Sequence, residues 1–244
     1  MSERIILTDL DEQMQEAVAD TRQRVAKLHA ELPRWGLVVW TAGNVSERVV
    51  VDRGDGPVKT DLFVIKPSGV SYDELTADTM VVCTLDGEKI DDGTPASLTP
   101  SSDTAAHAYV YRHRGDVGGV VHTHSPYATA WAARREPIPC ALTMMGDEFG
   151  GDIPIGPFAL IGDDSIGRGI VETLEGSRSP AVLMANHGPF TIGKDARDAV
   201  KAAVMCEEVA RTMSIAEQLG EVKPIPADMV DRLNDRYQHV YGQH

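Results

Sequence analysis

The stretch Val120-Val121-His122-Thr123-His124-Ser125 decides how the chain is read. An apolar run over residues 117–121, with glycines inside it, predicts a buried strand. Side chains alternate along a strand, so His122 and His124 share a face. Two imidazoles side by side at a strand end suit Zn2+, which favours nitrogen ligands and needs one or two more from elsewhere. An HxH pair also describes two polar surface residues, so the metal reading depends on the rest of the chain. A second apolar strand, residues 181–184, runs into Asn186-His187-Gly188-Pro189-Phe190 and presents His187 as a third imidazole.

Three other places carry the parts of an anion site. Gly43-Asn44 follows the apolar run of residues 36–40, and makes either an ordinary turn or a backbone and amide seat for an anion. Lys66-Pro67-Ser68-Gly69 ends a strand with a cation, a hydroxyl and a flexible N–H, or is a plain proline turn. Pro100-Ser101-Ser102-Asp103-Thr104 opens a helix. Ser101 and Ser102 read as caps and equally as a phosphate seat at a helix N-terminus. Asp103 adds a carboxylate, either as a further ligand or as a proton-transfer group.

Around these stretches the pattern predicts an amphipathic helix over residues 10–32, carrying His29 as a surface or packing histidine, and a buried strand over 36–40. Hairpins follow over 49–65 and 81–90, with a short capped helix from Ser71 between them. Further helices start at Pro100, Pro126 and Asp163 and span 195–219 and 227–240; His107 and His113, on or just after the first, are assigned no site role. Residues 140–152, with Thr143, Asp147, Glu148 and three glycines, read as a loop at an active-site edge. Strands interleave with helices, yet several pairs are hairpins. The expected architecture is therefore α/β with a mixed, mainly antiparallel sheet covered by helices on its faces.

Composition narrows the function. At 244 residues and 42% hydrophobic the chain buries a substantial core, and no break divides it, so one domain over 1–244 is expected. A formal net charge of -14 argues against a nucleic-acid footprint, and a phosphorylated ligand has to be drawn by a local pocket. Three scattered cysteines fit a reducing cytoplasm. Neither a signal peptide nor a membrane span is visible. No GxGxxG, GxxxxGK[ST] or GxSxG occurs, which counts against dinucleotide binding, P-loop hydrolysis and an α/β-hydrolase serine.

Taken together, TAGNVS from Thr41, KPSGV from Lys66, PSSDT from Pro100, HTHS from His122, NHGPF from Asn186 and the terminal YGQ from Tyr241 resemble the class II aldolase/adducin family, in that family's order. The likeness is strongest to the branch that epimerises L-ribulose 5-phosphate. It implies a three-layer α/β/α fold, a homotetramer with the site at the subunit interface, and a zinc held by His122, His124 and His187 with Asp103 as the nearby carboxylate ligand. It further implies that Gly43, Asn44, Ser68, Gly69, Ser101 and Ser102 receive the substrate phosphate, with Lys66 adding charge. Asp147 and Tyr241 would be the acid/base pair and Thr143 a substrate-side residue. The implied reaction is C3–C4 retro-aldol cleavage of a phosphorylated ketose and re-addition to the other aldehyde face, giving D-xylulose 5-phosphate. Ala42 is closer to the family's aldolases, which release dihydroxyacetone phosphate from a ketose 1-phosphate, and the neighbours of Asp147 depart from the usual epimerase loop; Asp103 and Asp147 themselves favour the epimerases. An adducin-like binding module without catalysis is the third reading.

Overall fold

The computed structural model describes residues 5–241, Tyr241 by its backbone alone. Helix α1 (Glu12–His29) begins where the Asp11 carboxylate accepts from Met14 N at 2.9 Å, and the single turn α2 (Glu31–Arg34) follows it. Strands β1 (Asn44–Asp52) and β2 (Pro57–Ile65) form a hairpin. At its tip Asp52 Oδ1 accepts from Gly54 N at 2.8 Å and Gly56 N at 3.2 Å. Then come β3 (Val81–Thr84), α3 (Thr104–His113), β4 (Gly119–His122), α4 (Pro126–Arg134), α5 (Thr143–Phe149), β5 (Ile155–Gly156) and α6 (Ser165–Leu174). The chain closes with β6 (Ala181–Met184), β7 (Gly188–Gly193), α7 (Ala196–Leu219) and α8 (Ala227–Arg236), which runs into a π-helical turn, Tyr237–Tyr241.

The seven strands lie in the order β3-β2-β1-β4-β7-β6-β5, and only β5 and β6 run parallel. This is the mixed, mainly antiparallel sheet expected. Strand β4 sits at its centre, and its side chains alternate between two cores. Val120 joins Ala106, Val110 and Tyr111 of α3 and Ile166 and Ile170 of α6 on one face. Val121 joins Val45 and Ala196, Ala199 and Val200 on the α7 face. Helix α1 extends that second layer with Val18 and Val25 against Val49 and Val64, so helices cover both faces. Among the described residues no helix is long and apolar enough to cross a membrane, and all three cysteines are buried free thiols.

Three expectations change. Residues 36–40 are not a strand: Leu37 and Val38 are buried, but Val39 and Trp40 are 72% and 86% exposed. β1 is already paired on both sides, and a turn closed by Ala42 N donating to Val39 O, with Trp40 at φ 55°, replaces strand pairing. Residues 140–152 contain a helix, α5, rather than only a loop. Its apolar period, Met145 and Phe149, is masked by Gly146, which lets α8 approach: a Cβ there would lie 2.7 Å from Leu233 Cδ1. The first helix ends at His29, with Pro33 inside the separate turn α2. His29 itself is buried, its two ring nitrogens bound to Val25 O at 2.7 Å and Val45 N at 2.9 Å.

Candidate functional site

The sheet register builds the site. Asn44, first in β1, pairs with His122, last in β4, and His122 pairs across β4 and β7 with Phe190. Continuing that register past the strand end sets His124 against Gly188, the neighbour of His187. The ligand nitrogens of His122, His124 and His187 consequently lie within 4.8 Å of one another. His122 is buried and stacks on Phe190 with ring centroids 4.0 Å apart, while the other two imidazoles face solvent more openly.

Their protonation suits a metal. Pro189 O can only accept, so His122 Nδ1, 3.0 Å away, carries the proton and Nε2 keeps its lone pair toward the cluster. Burial, then the neighbouring imidazoles His187 and His124, holds His122 well below its ordinary pKa. Burial also lowers His124 and His187, against an opposing pull from the Asp103 charge. All three are therefore neutral near pH 7, the form that ligates. His122 Nε2 and His124 Nε2 stand 2.9 Å apart, somewhat under the roughly 3.3 Å that tetrahedral zinc with about 2.0–2.1 Å bonds requires, a gap that a small rotation of one ring opens.

Asp103 stands at the N-cap position of α3 beside this cluster, but its carboxylate does not cap the helix. Its Oδ2 accepts from Asn44 Nδ2 at 2.7 Å, and the same amide donates to Ser101 Oγ at 2.9 Å. Asp103 Oδ1 and Asn44 Oδ1 are buried with no hydrogen-bond partner among the described residues. A buried carboxylate oxygen left unmatched is costly unless a cation or donor meets it. Together with three neutral imidazoles it fits a borderline-soft divalent metal.

The three anion seats converge at the same sheet end. Ser101 N donates to Lys66 O at 3.0 Å and Ser68 N to Thr99 O at 2.8 Å, which ties the Lys66–Gly69 turn to the start of α3. Ser101 Oγ accepts from Asn44 and, at 3.3 Å, from Asp103 N, so its own proton is free to point outward beside the exposed Ser68 and Ser102. Gly43 (φ 80°) admits the close crossing of this turn over β4, since a Cβ would lie 2.9 Å from His122 O. Asn44 is thus committed to Asp103 and Ser101. Lys66 is buried under the loop, its ammonium donating to Thr41 O and Pro67 O, both at 3.2 Å, and burial lowers its pKa to about 8. Tyr72 pins the neighbouring carbonyl, its hydroxyl donating to Ala42 O at 2.9 Å.

Thr143 and Asp147 stand on α5, in the separate packing cluster of α4, α5, α7 and α8. Asp147 O accepts from Asn234 Nδ2 of α8 at 3.0 Å. The side chain of Tyr241, and Gly242 and Gln243, lie outside the described residues. Sequence reading missed what binds this region. Tyr237 donates to Glu148 Oε2 at 2.7 Å and Lys201 pairs with Glu148 Oε1 at 3.2 Å, joining α5, α7 and the C-terminal turn. It also missed the buried chain beneath Asp103, in which Ser46 Oγ lies 2.7 Å from both His107 Nδ1 and Tyr111 OH. A histidine four residues after an aspartate at a helix start was the available signal.

The chain is similar to known proteins along most of its length. The class II aldolase and adducin N-terminal domain matches residues 23–214. The chain is 44% identical over 212 residues to L-ribulose-5-phosphate 4-epimerase UlaF of Salmonella paratyphi C (strain RKS4594), covering 82% of this chain and 86% of the relative. The same figures hold for UlaF of Salmonella choleraesuis (strain SC-B67). Among solved structures, an L-fuculose 1-phosphate aldolase superposes with a TM-score of 0.79 at 26% identity, over 90% of this chain and 96% of that one. With the family's domain matching most of the length and a relative 44% identical over 82% of it, the chain belongs to the class II aldolase and adducin family.

Proposed function

We propose that the chain is a metal-dependent L-ribulose-5-phosphate 4-epimerase, acting as one domain over residues 1–244 in the cytoplasm. The observation that carries the reading is the neutral triad His122, His124 and His187 with the unmatched Asp103 oxygen beside hydroxyls gathered for an anion. The 44% identity to the UlaF epimerases supports the substrate.

His122, His124 and His187 would hold the ion, with zinc its proposed identity and Asp103 as the nearby carboxylate ligand. Once bound, such an ion would supply Lewis acidity to the cleavage of the sugar. Gly43, Ser68, Gly69, Ser101 and Ser102 seat the phosphate through N–H and O–H donors, and Asn44 fixes Ser101 and Asp103 in place. Lys66 adds a positive field from beneath without touching the phosphate. The C3–C4 bond of L-ribulose 5-phosphate breaks as the C4 hydroxyl loses its proton, leaving glycolaldehyde phosphate and the enediolate of dihydroxyacetone. The aldehyde rotates, re-forms the bond through its other face and regains a proton. Asp147 and Tyr241 serve the two faces, and Thr143 lines the substrate side.

A homotetramer with the site at the subunit interface accompanies this reading. It is supported by the exposed Val39 and Trp40 beside the Gly43–Asn44 turn, an apolar edge a second copy would cover. The second reading, a zinc-dependent aldolase cleaving a ketose 1-phosphate, is favoured by the fold match to L-fuculose 1-phosphate aldolase. Incubating zinc-loaded protein with L-ribulose 5-phosphate and, separately, L-fuculose 1-phosphate decides between them. D-xylulose 5-phosphate from the first supports epimerisation, whereas dihydroxyacetone phosphate from the second alone replaces it with aldolysis. Near-normal turnover in both Asp147→Asn and Tyr241→Phe would remove those residues from the chemistry.

A further inference from the structure

We propose that Arg135 and Asn186 form a strap that positions the His187 imidazole, and that Glu207 anchors the opposite end of the same helix below His124. The proposal rests on the metal-centre reading above and adds residues that hold its ligands in place.

Helix α4 (Pro126–Arg134) starts two residues after His124 and ends beside the turn that carries His187. At that end two non-glycine residues adopt left-handed backbone, Arg135 at φ 58° and Asn186 at φ 58°. Left-handed backbone is unfavourable for arginine and only tolerated by asparagine, so the surrounding contacts must hold it. Arg135 Nε donates to Asn186 Oδ1 at 2.6 Å, and the amides of Asn186 and Arg135 both donate to Ala132 O, at 2.9 and 3.1 Å. His187 N then donates to Met184 O at 3.0 Å, closing the turn from β6 into β7. The imidazole therefore leaves a turn bolted to the end of α4.

The other end is fixed as firmly. Ser125 provides no side-chain cap, and two of the free N–H groups of the first turn are met by one carboxylate of α7. Tyr127 N donates to Glu207 Oε1 and Ala128 N to Glu207 Oε2, both at 2.9 Å. In the middle, Trp131 Nε1 donates to Ser214 Oγ at 3.0 Å and Ala210 O at 3.2 Å. Helix α4 thus acts as a spacer between the two more exposed imidazoles, whereas His122 is fixed by the sheet itself. Partners that orient metal-binding histidines typically change affinity about 10–100-fold when removed.

The test separates backbone from strap. Asn186→Gly keeps the left-handed conformation and loses the acceptor, while Asn186→Asp keeps both. Zinc affinity is measured by competition with a chromophoric chelator, the Co2+-loaded proteins are compared by visible absorption, and hydrogen exchange of residues 185–188 is followed in metal-free protein. Asn186→Gly and Arg135→Ala should weaken zinc binding about 10–100-fold, lower the tetrahedral Co2+ bands and speed exchange, with Asn186→Asp restored to within about threefold of the parent. Unchanged affinity and exchange in Asn186→Gly, or an Asn186→Asp variant as weak as Asn186→Gly, overturns the strap. If the parent itself binds no zinc, the metal reading fails, and the exchange data still decide the strap: equal rates reject it, and faster rates uphold it.

Discussion

Gly43→Ala separates the two demands made on the turn above β4. A residue with a Cβ at φ 80° carries a left-handed penalty of roughly 1–2 kcal/mol. The new methyl would also lie 2.6 Å from Val38 Cγ1 and 2.9 Å from His122 O, neither of which is the tip of a long flexible chain. Overpacking of that kind adds about 1–3 kcal/mol, for a total of roughly 2–5 kcal/mol. Gly69 supplies the control: its φ is 71°, but nothing lies within 4 Å of its added Cβ, so Gly69→Ala should lose only roughly 1–2 kcal/mol. Urea unfolding of both variants, at an unchanged m-value, reads the difference directly. Because the displaced carbonyl belongs to His122, Gly43→Ala should lose zinc affinity as well as stability. Equal destabilisation of the two variants, with Gly43→Ala keeping parental zinc affinity, would refute the claim that this glycine sets the distance between the anion turn and the metal strand.

Acid should unfold the metal-free protein through its buried histidines. Burial lowers His29 and His107 to about 3, so below pH 6.5 the unfolded chain binds protons that the native one refuses. Stability is then full above about 6.5 and falls toward pH 3 by up to about 1.4 kcal/mol per group per pH unit. A flat unfolding free energy between pH 6.5 and 4 would contradict this. Lys66, lowered to about 8, is charged below that pH, so KM for the phosphorylated substrate should rise as pH passes through 8. In Lys66→Met that limb should vanish and KM at pH 7 should already be high. Chelation should abolish turnover and zinc restore it, while His122→Asn, losing a buried ligand, should retain less than a tenth of the parental metal by elemental analysis.

Much of the site was legible because its parts occur as short unbroken words at strand ends. His122 and His124 declare a shared face by their spacing, and a strand followed by Asn186-His187-Gly188 presents a third imidazole at another end. What joins these words is register, which no local pattern carries. That Asn44 lies opposite His122, and hands its amide to Asp103, follows from the pairing of β1 with β4. The errors have a common cause in reading composition without neighbours. Residues 36–40 were apolar enough for a strand but had no edge to join. Gly146 reads as a loop residue in sequence, and its reason, the close approach of Leu233 of α8, lies far along the chain. The helix α4 was legible, but its role as a spacer was not, since Glu207 and Asn186 reach it from distant parts of the chain.

The Glu148, Lys201 and Tyr237 junction bears on how such a protein can change its chemistry. The residues proposed to bind the ion and the anion sit in or just past the ends of strands and in the turns beside them, with Asn44 and His122 inside the central strands. Under the proposed assignment the proton-handling residues ride on α5 and the C-terminal turn; α5 is seated by the buried Met145 and Phe149, and polar contacts tie it to α8 and the turn. A lineage built this way can acquire a new fate for the cleaved carbon bond, or a new sugar, by editing its periphery alone.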